Sequence, residues 1–212
     1  MIRVLLTDDH KILREGIKGL LNDTDDIEVV AEAANIQELF AQLAATEVDV
    51  VVLDITLPGR NGLDALKQMK AERLTIPVII LSMHPEEQYA LRAIRSGAAG
   101  YLTKETASVE LVHAIRKAHA GGKYLSQSLA ERLFCELANP LGDAPHTLLS
   151  DREYQVTCMI GSGITLSGIA EKLSLSVKTI STYRTRVLLK MGMKNNAQLT
   201  TYVIKNGLSD DR

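Results

Sequence analysis

Two stretches of this chain, Val48–Leu53 (VDVVVL) and Pro77–Leu81 (PVIIL), are apolar at successive positions instead of alternate ones. A strand with one wet face alternates, so both read as strands covered on both sides, the situation of central strands in a parallel sheet. Three further short apolar runs, Ile2–Leu6, Ile27–Ala31 and Ala98–Leu102, complete a set of five. Between and after them apolar residues recur at helical spacing: Ile12, Ile17, Leu20 and Leu21; Leu39, Leu43 and Ala44; Leu63, Leu66 and Met69; Tyr89, Ala90, Ala93 and Ile94; Leu111, Ala114, Ile115 and Ala118. The alternation predicts an α/β domain over residues 1–122, a doubly wound five-stranded parallel sheet with helices on both faces. Ligands of such sheets sit beyond the carboxyl ends of the strands.

Those ends carry polar groups. Strand one ends in Thr7-Asp8-Asp9, strand three in Asp54 and strand four in Ser82, while Lys104 follows strand five. Three carboxylates crowded at one sheet edge repel unless they share a cation. All-oxygen ligation suits Mg²⁺. An ammonium and a hydroxyl facing that metal can hold the oxygens of a phosphoryl group. The set fits an aspartate that accepts phosphate.

The combination Asp8-Asp9, Asp54-x-x-Leu57-Pro58-x-x-x-Gly62, Ser82 and Tyr101-x-x-Lys104 resembles the flavodoxin-like receiver domain of two-component response regulators. The resemblance implies Asp54 as phosphoacceptor, with Asp8, Asp9, Asp54 and the carbonyl of Thr56 around Mg²⁺. It implies Ser82 and Lys104 on the phosphoryl oxygens, and Tyr101 as an aromatic that turns inward on activation. Glu105 stands where many receivers carry Pro. A haloacid-dehalogenase-like hydrolase needs a second acid two residues after the nucleophile, where this chain has Thr56. A flavodoxin-like cofactor domain needs a small polar phosphate loop after strand one, which Asp8-Asp9-His10 does not supply.

Charge divides the chain. Residues 1–122 hold 13 basic and 18 acidic side chains, whereas residues 123–212 hold 11 and 8. From Lys172 to Ser209 there is no acid at all, an asymmetry that suggests a second domain meeting a polyanion. The second half reads as helical. A helix over Ser126–Ala138 precedes Asn139–His146 (NPLGDAPH), a breaker-rich linker within a 123–147 connecting region. Over 148–208, Ser150 and Glu153 form a capping-box pattern, and helices follow to about Ile160, then over Thr165–Leu173, Val177–Met191 and Asn196–Lys205. Joints of this length suggest helix-turn-helix. On the third of these helices Val177, Ile180, Val187, Leu188 and Met191 face inward by spacing. Lys178, Ser181, Thr182, Thr185 and Arg186 face outward, a small, hydroxylated and basic face that a major groove accepts, with Tyr183 and Lys178 able to hold phosphates.

Residues 148–208 resemble the LuxR-type output domain on Leu149–Glu153, Ile169–Leu173, Ser176–Ile180 and Met191-Gly192, and the whole chain resembles a NarL/FixJ-class response regulator. The stretch Thr182-Tyr183-Arg184-x-Arg186 is similar to the global-regulator subgroup that includes the GacA type. The resemblance implies a recognition helix at Val177–Lys190 with Ser181, Thr182 and Thr185 facing bases, Arg184 reaching a phosphate, and a last helix making dimer contacts. It also implies a sensor histidine kinase and duplex DNA as partners, a homodimer when phosphorylated or DNA-bound, and no enzyme activity beyond the chain's own phosphoryl transfer and slow autodephosphorylation. The alternative is a receiver-based protein-interaction module with a secondary DNA role. No apolar run approaches the ~18–20 residues that cross a bilayer, and Cys135 and Cys158 have no zinc-spaced neighbours. A soluble cytoplasmic protein without a membrane partner is expected.

Overall fold

The computed structural model describes residues 1–138 and 144–208, and in it the chain divides into two compact units, Met1–Leu129 and Ala130–Arg212. The first unit alternates β1 (Ile2–Thr7), α1 (Lys11–Asn22), β2 (Ile27–Ala33), α2 (Ile36–Ala45), β3 (Val50–Asp54), α3 (Gly62–Ala71), β4 (Val78–Ser82), α4 (Glu86–Arg95), β5 (Gly100–Thr103) and α5 (Ala107–His119). Each expected strand is present, its ends moved by at most two residues. The strands pair in parallel in the order β2-β1-β3-β4-β5. Every residue of β3 and β4 is buried, as their unbroken apolar sequences require, whereas edge strand β2 is partly exposed.

Alternate side chains of β1 (Ile2, Val4, Leu6) and Val50, Val52, Ile79, Leu81 and Leu102 pack against Ile17 and Leu21 of α1 and Leu111 and Ile115 of α5. The order reverses between β1 and β3, so their carboxyl ends flank the crevice where this fold class places its chemistry. Beyond residue 122 the chain still belongs to this unit. Tyr124 forms a parallel bridge with Gly100, its N–H donating to the Ala99 carbonyl at 2.7 Å. A Cβ on Gly100 would stand 3.1 Å from that of Tyr124, so glycine permits the close approach. Buried Leu129 completes the unit.

Helix α6 (Gln127–Ala138) begins in the first unit, where Ser126 and Ser128 donate to Glu86 of α4. The linker assigned to Asn139–His146 falls mostly on residues 139–143, outside those described, as does the side chain of Cys135; Cys158 is buried. Its far end is a 3-10 turn, Pro145–Leu148, held by a 2.8 Å hydrogen bond between His146 Nδ1 and the Tyr202 hydroxyl. Four helices follow: α7 (Asp151–Gly161), α8 (Leu166–Lys172), α9 (Val177–Lys190) and α10 (Asn196–Lys205). Each starts at a side-chain cap. Ser150 and Glu153 form the expected reciprocal box on α7, and Thr165, Ser176 and Asn195 cap the others. Ile169, Leu173, Ile180, Val187, Leu199 and Val203 fill the interior. Gly161 lets α7 and α10 touch, because a Cβ there would lie 2.2 Å from Val203 Cγ1. Among the described residues no helix is long and apolar enough to cross a membrane.

Three inward assignments fail. Ile12 is 90% exposed on α1 and Val177 47% exposed at the first position of α9, and Ala44 is exposed near the end of α2. All three sit in a terminal turn of their helix.

Candidate functional site

The carboxyl ends of β1, β3 and β4 and the turn after β5 converge as expected. Asp8, Asp54 and Ser82 are buried, whereas Asp9 is exposed at the rim. Asp8 is fixed from several sides: its backbone N–H donates to Ala33, its carbonyl accepts from Arg14 at 2.5 Å, and its Oδ1 accepts the His10 N–H at 2.8 Å. Lys104 reaches in from beyond β5 and places Nζ 2.7 Å from Asp8 Oδ2 and 2.7 Å from Asp54 Oδ2. Its peptide bond to Glu105 is trans.

The β3–α3 loop presents Asp54. The Thr56 N–H donates to Asp54 Oδ1 at 3.0 Å, and Asn61, the buried cap of α3, accepts from Leu63 N–H. Gly62 at the start of α3 donates to the Ile55 carbonyl. A Cβ at Gly62 would lie 2.1 Å from the Asp54 carbonyl oxygen, so only glycine allows this turn to close against the acceptor.

Burial raises the Asp54 carboxyl and the Asp8 charge adds to it, against the lowering by Lys104; the result is a pKa of about 6. For Lys104, burial alone disfavours the ammonium, but the two carboxylates outweigh it and the pKa lies above that of a free lysine.

Charge and donor type test the fit of a divalent cation. Three carboxylates face one ammonium, an excess of two negative charges, and with the exception of His10 at the rim the donors are oxygens. The ligating atoms of Asp8, Asp9, His10 and Asp54 all lie within 4.8 Å of one another. A hard dication matches both the charge and the donors.

A second group surrounds Ser82. Its Oγ accepts the His84 N–H at 3.0 Å, and the Tyr101 hydroxyl donates to the His84 carbonyl at 2.8 Å. The His84 ring lies against Tyr89, with centroids 4.6 Å apart, and its Nε2 is 3.4 Å from Thr56 Oγ1. Tyr101 is fully buried. Sequence reasoning missed His84, and nothing in its local pattern sets it apart.

In the second unit, α8 and α9 are joined by a tight turn in which Ser174 takes φ 53°, a left-handed conformation uncommon for serine. Lys178, Ser181, Thr182, Thr185 and Arg186 are exposed on α9, and Tyr183 is half-buried. The Arg184 Nε donates to Asn196 Oδ1 at 2.5 Å, tying α9 to α10. Lys190 is engaged likewise, 2.6 Å from Glu153. The Thr182 and Thr185 hydroxyls donate back to the Lys178 and Ser181 carbonyls, each at 3.0 Å, which turns their methyl groups toward solvent.

The family model for the response regulator receiver domain matches residues 4–116, and that for bacterial regulatory proteins of the LuxR family matches residues 147–203. The chain is 36% identical over 209 residues to the response regulator UvrY of Escherichia coli, covering 98% of this chain and 96% of UvrY. It is equally similar over 210 residues to the response regulator GacA of Pseudomonas protegens, covering 99% of each. Among solved structures, the RcsB–DNA complex is 25% identical, covers 96% of this chain and 98% of that one, and superposes with a TM-score of 0.59; RcsB is also solved as two dimers on two parallel DNAs.

Proposed function

From the premise that this chain belongs to the response regulators that join a receiver to a LuxR-type output domain, we propose that Asp54 is its phosphoacceptor. Phosphorylation there controls how α9 engages duplex DNA. The observation that carries this reading is the Lys104 ammonium placed 2.7 Å from both Asp8 and Asp54 at the sheet edge. An ionised Asp54 attacks the phosphorus of a phosphohistidine or of a small acyl phosphate, and the leaving group departs on the far side. Lys104 then exchanges its bond to the carboxylate for one to the incoming phosphoryl oxygens. The Ser82 hydroxyl, now accepting from the His84 N–H, donates to another of those oxygens. Asp8, Asp9, Asp54 and the Thr56 carbonyl would hold Mg²⁺, which would supply the positive charge that lets an anionic donor approach an anionic acceptor.

The partners on this reading are a sensor histidine kinase and duplex DNA, met in the cytoplasm, with the DNA bound by a homodimer as in RcsB. Lys178 and Arg186 meet phosphates, and Ser181, Thr182 and Thr185 meet base edges. The absence of acid from Lys172 to Ser209 favours DNA over the protein-interaction alternative. The test is direct. With acetyl phosphate and Mg²⁺, the full chain should gain one acid-labile phosphoryl group and bind its selected duplex more tightly. Asp54→Asn should do neither. Labelling that persists in Asp54→Asn, or DNA affinity unmoved by phosphorylation at every protein concentration, overturns the reading.

A further inference from the structure

We propose that Arg14 is a positioning residue for phosphoryl uptake: by fixing the Asp8 carbonyl it sets where the Asp9 carboxylate stands, and thereby the affinity for Mg²⁺, without touching the ion. The inference rests on the reading that Asp8 and Asp9 hold Mg²⁺.

The two acids are held differently. Asp8 is buried, and Lys104 Nζ stands 2.7 Å from its Oδ2. Asp9 is exposed, and among the described residues its ion pair is with the His10 ring at 2.8 Å, the next residue of the same loop and itself exposed. Neither burial nor another element of the fold fixes Asp9. Its place depends on the backbone that carries it.

Arg14 controls that backbone. β1 and β2 pair as far as Thr7 and Ala33, and the Asp8 N–H still donates to the Ala33 carbonyl at 3.1 Å. β2 ends there, and the Asp8 carbonyl accepts from Arg14 Nη1 at 2.5 Å in place of a strand N–H. Asp8 is thus pinned at both its N–H and its C=O. Because the peptide that follows is planar, a fixed carbonyl fixes the Cα of Asp9. A hydrogen bond from a guanidinium is charge-assisted, and so stronger than the ladder bond whose place it takes.

The guanidinium is itself held. The Arg14 side chain is only 14% exposed, and its Nε lies 3.3 Å from Glu32 Oε2. Glu32 stands on β2 opposite Leu6, and its other oxygen takes Lys18 Nζ at 2.8 Å. One side chain therefore ties α1 and β2 to the end of β1.

Charge and placement act on a bound cation in opposite directions. The Arg14 charge repels a dication, so charge alone predicts tighter Mg²⁺ binding once it is removed. Loss of placement predicts weaker binding, and partners that orient metal ligands are worth about 10–100-fold in affinity. The sign of the change separates the two.

The experiment uses the full chain and Mg²⁺ itself, followed by titration calorimetry. Arg14→Met should bind Mg²⁺ at least about tenfold more weakly than the parent. Lys11→Met removes an exposed cation of α1 that makes no bond to Asp8 among the described residues; it should bind Mg²⁺ equally or more tightly. Arg14→Lys should lie between Arg14→Met and the parent, since an ammonium reaches the carbonyl but cannot fork to Glu32 as well. In chelator, ¹⁵N relaxation should find the Asp9 backbone rigid in the parent and mobile in Arg14→Met. With acetyl phosphate, Arg14→Met should need more Mg²⁺ but reach a maximal labelling rate within about twofold of the parent's. Mg²⁺ affinity of Arg14→Met equal to or above the parent's, or no recovery in Arg14→Lys, overturns the inference and leaves the Mg²⁺ reading intact. Parent Mg²⁺ binding that Asp9→Asn does not weaken overturns the Mg²⁺ reading instead.

Discussion

Lys104 Nζ lies 2.7 Å from Asp54 Oδ2, although β4 runs between the strands that end near them. The side chain is only 6% exposed and bonds Asp8 at the same distance. One ammonium thus holds together two carboxylates that would otherwise repel inside the protein. Replacing it by Met keeps the length and removes the charge. Lys104→Met should cost about 3 kcal/mol of stability at pH 7 in a chelator, since breaking a buried pair leaves a charge uncompensated. Millimolar Mg²⁺ should return part of that loss by binding only the folded state. Urea unfolding with and without Mg²⁺ measures both. An unchanged midpoint in chelator would show that the carboxylates do not depend on this lysine.

Asp54 gives a pH dependence of the opposite sign to the usual carboxylate. Burial lifts it to about 6, above its value in an unfolded chain. The folded state binds the proton more tightly, so this group's contribution is complete below about pH 4 and is lost as pH rises through about 6. The loss is about 3 kcal/mol. In chelator, Asp54→Asn should be more stable than the parent at pH 7 and should not be so at pH 4. Equal stability at both values would show that Asp54 is not held in a desolvating pocket.

The strand-end chemistry was legible in the sequence because each group follows an apolar run and five such runs can be closed in few ways. The capping box of Ser150 and Glu153 was legible because a cap is local. Contacts made at a distance were not. The Arg184–Asn196 bond depends on how α9 crosses α10, and the Tyr124–Gly100 bridge on the chain returning to the sheet edge after α5. The turn of His10 onto Asp9 depends on a ring rotamer. Periodicity also cannot tell where a stripe stops being covered, and so it overreached at Ile12, Ala44 and Val177. Arg3, which joins Asp49 and Glu47 across 44 to 46 residues, gave no local sign of that network.

Gly62 is a packing requirement at the acceptor. Its Cβ would meet backbone, the Asp54 carbonyl oxygen at 2.1 Å, and backbone cannot swing away as a side-chain tip can. Gly62→Ala should cost roughly 3 kcal/mol and slow phosphoryl uptake, because relief of the clash displaces Asp54. Gly59→Ala is the control. Gly59 has φ 77° but open space around it, so its cost should stay near 1 kcal/mol without change in phosphorylation rate. Comparable rates in the two variants would separate the turn from the site.

The α9 threonines carry a prediction about which of their atoms reads DNA. Each hydroxyl proton is committed to a carbonyl one turn back, at 3.0 Å for both Thr182 and Thr185. What faces outward is a methyl group, suited to the methyl of thymine. Thr→Ser removes that methyl and keeps the hydroxyl, whereas Thr→Val does the reverse. On a duplex selected from a random pool by the parent protein, Thr185→Val should keep the preference for thymine at the contacted position. Thr185→Ser should weaken it by about 0.8 kcal/mol, roughly fourfold. Lys178→Ala should instead weaken binding to all sequences and lower the salt slope by about one. Thymine preference lost in the valine variant and kept in the serine variant would assign the reading to the hydroxyls, and the helix would then have to release them from its own carbonyls on meeting DNA.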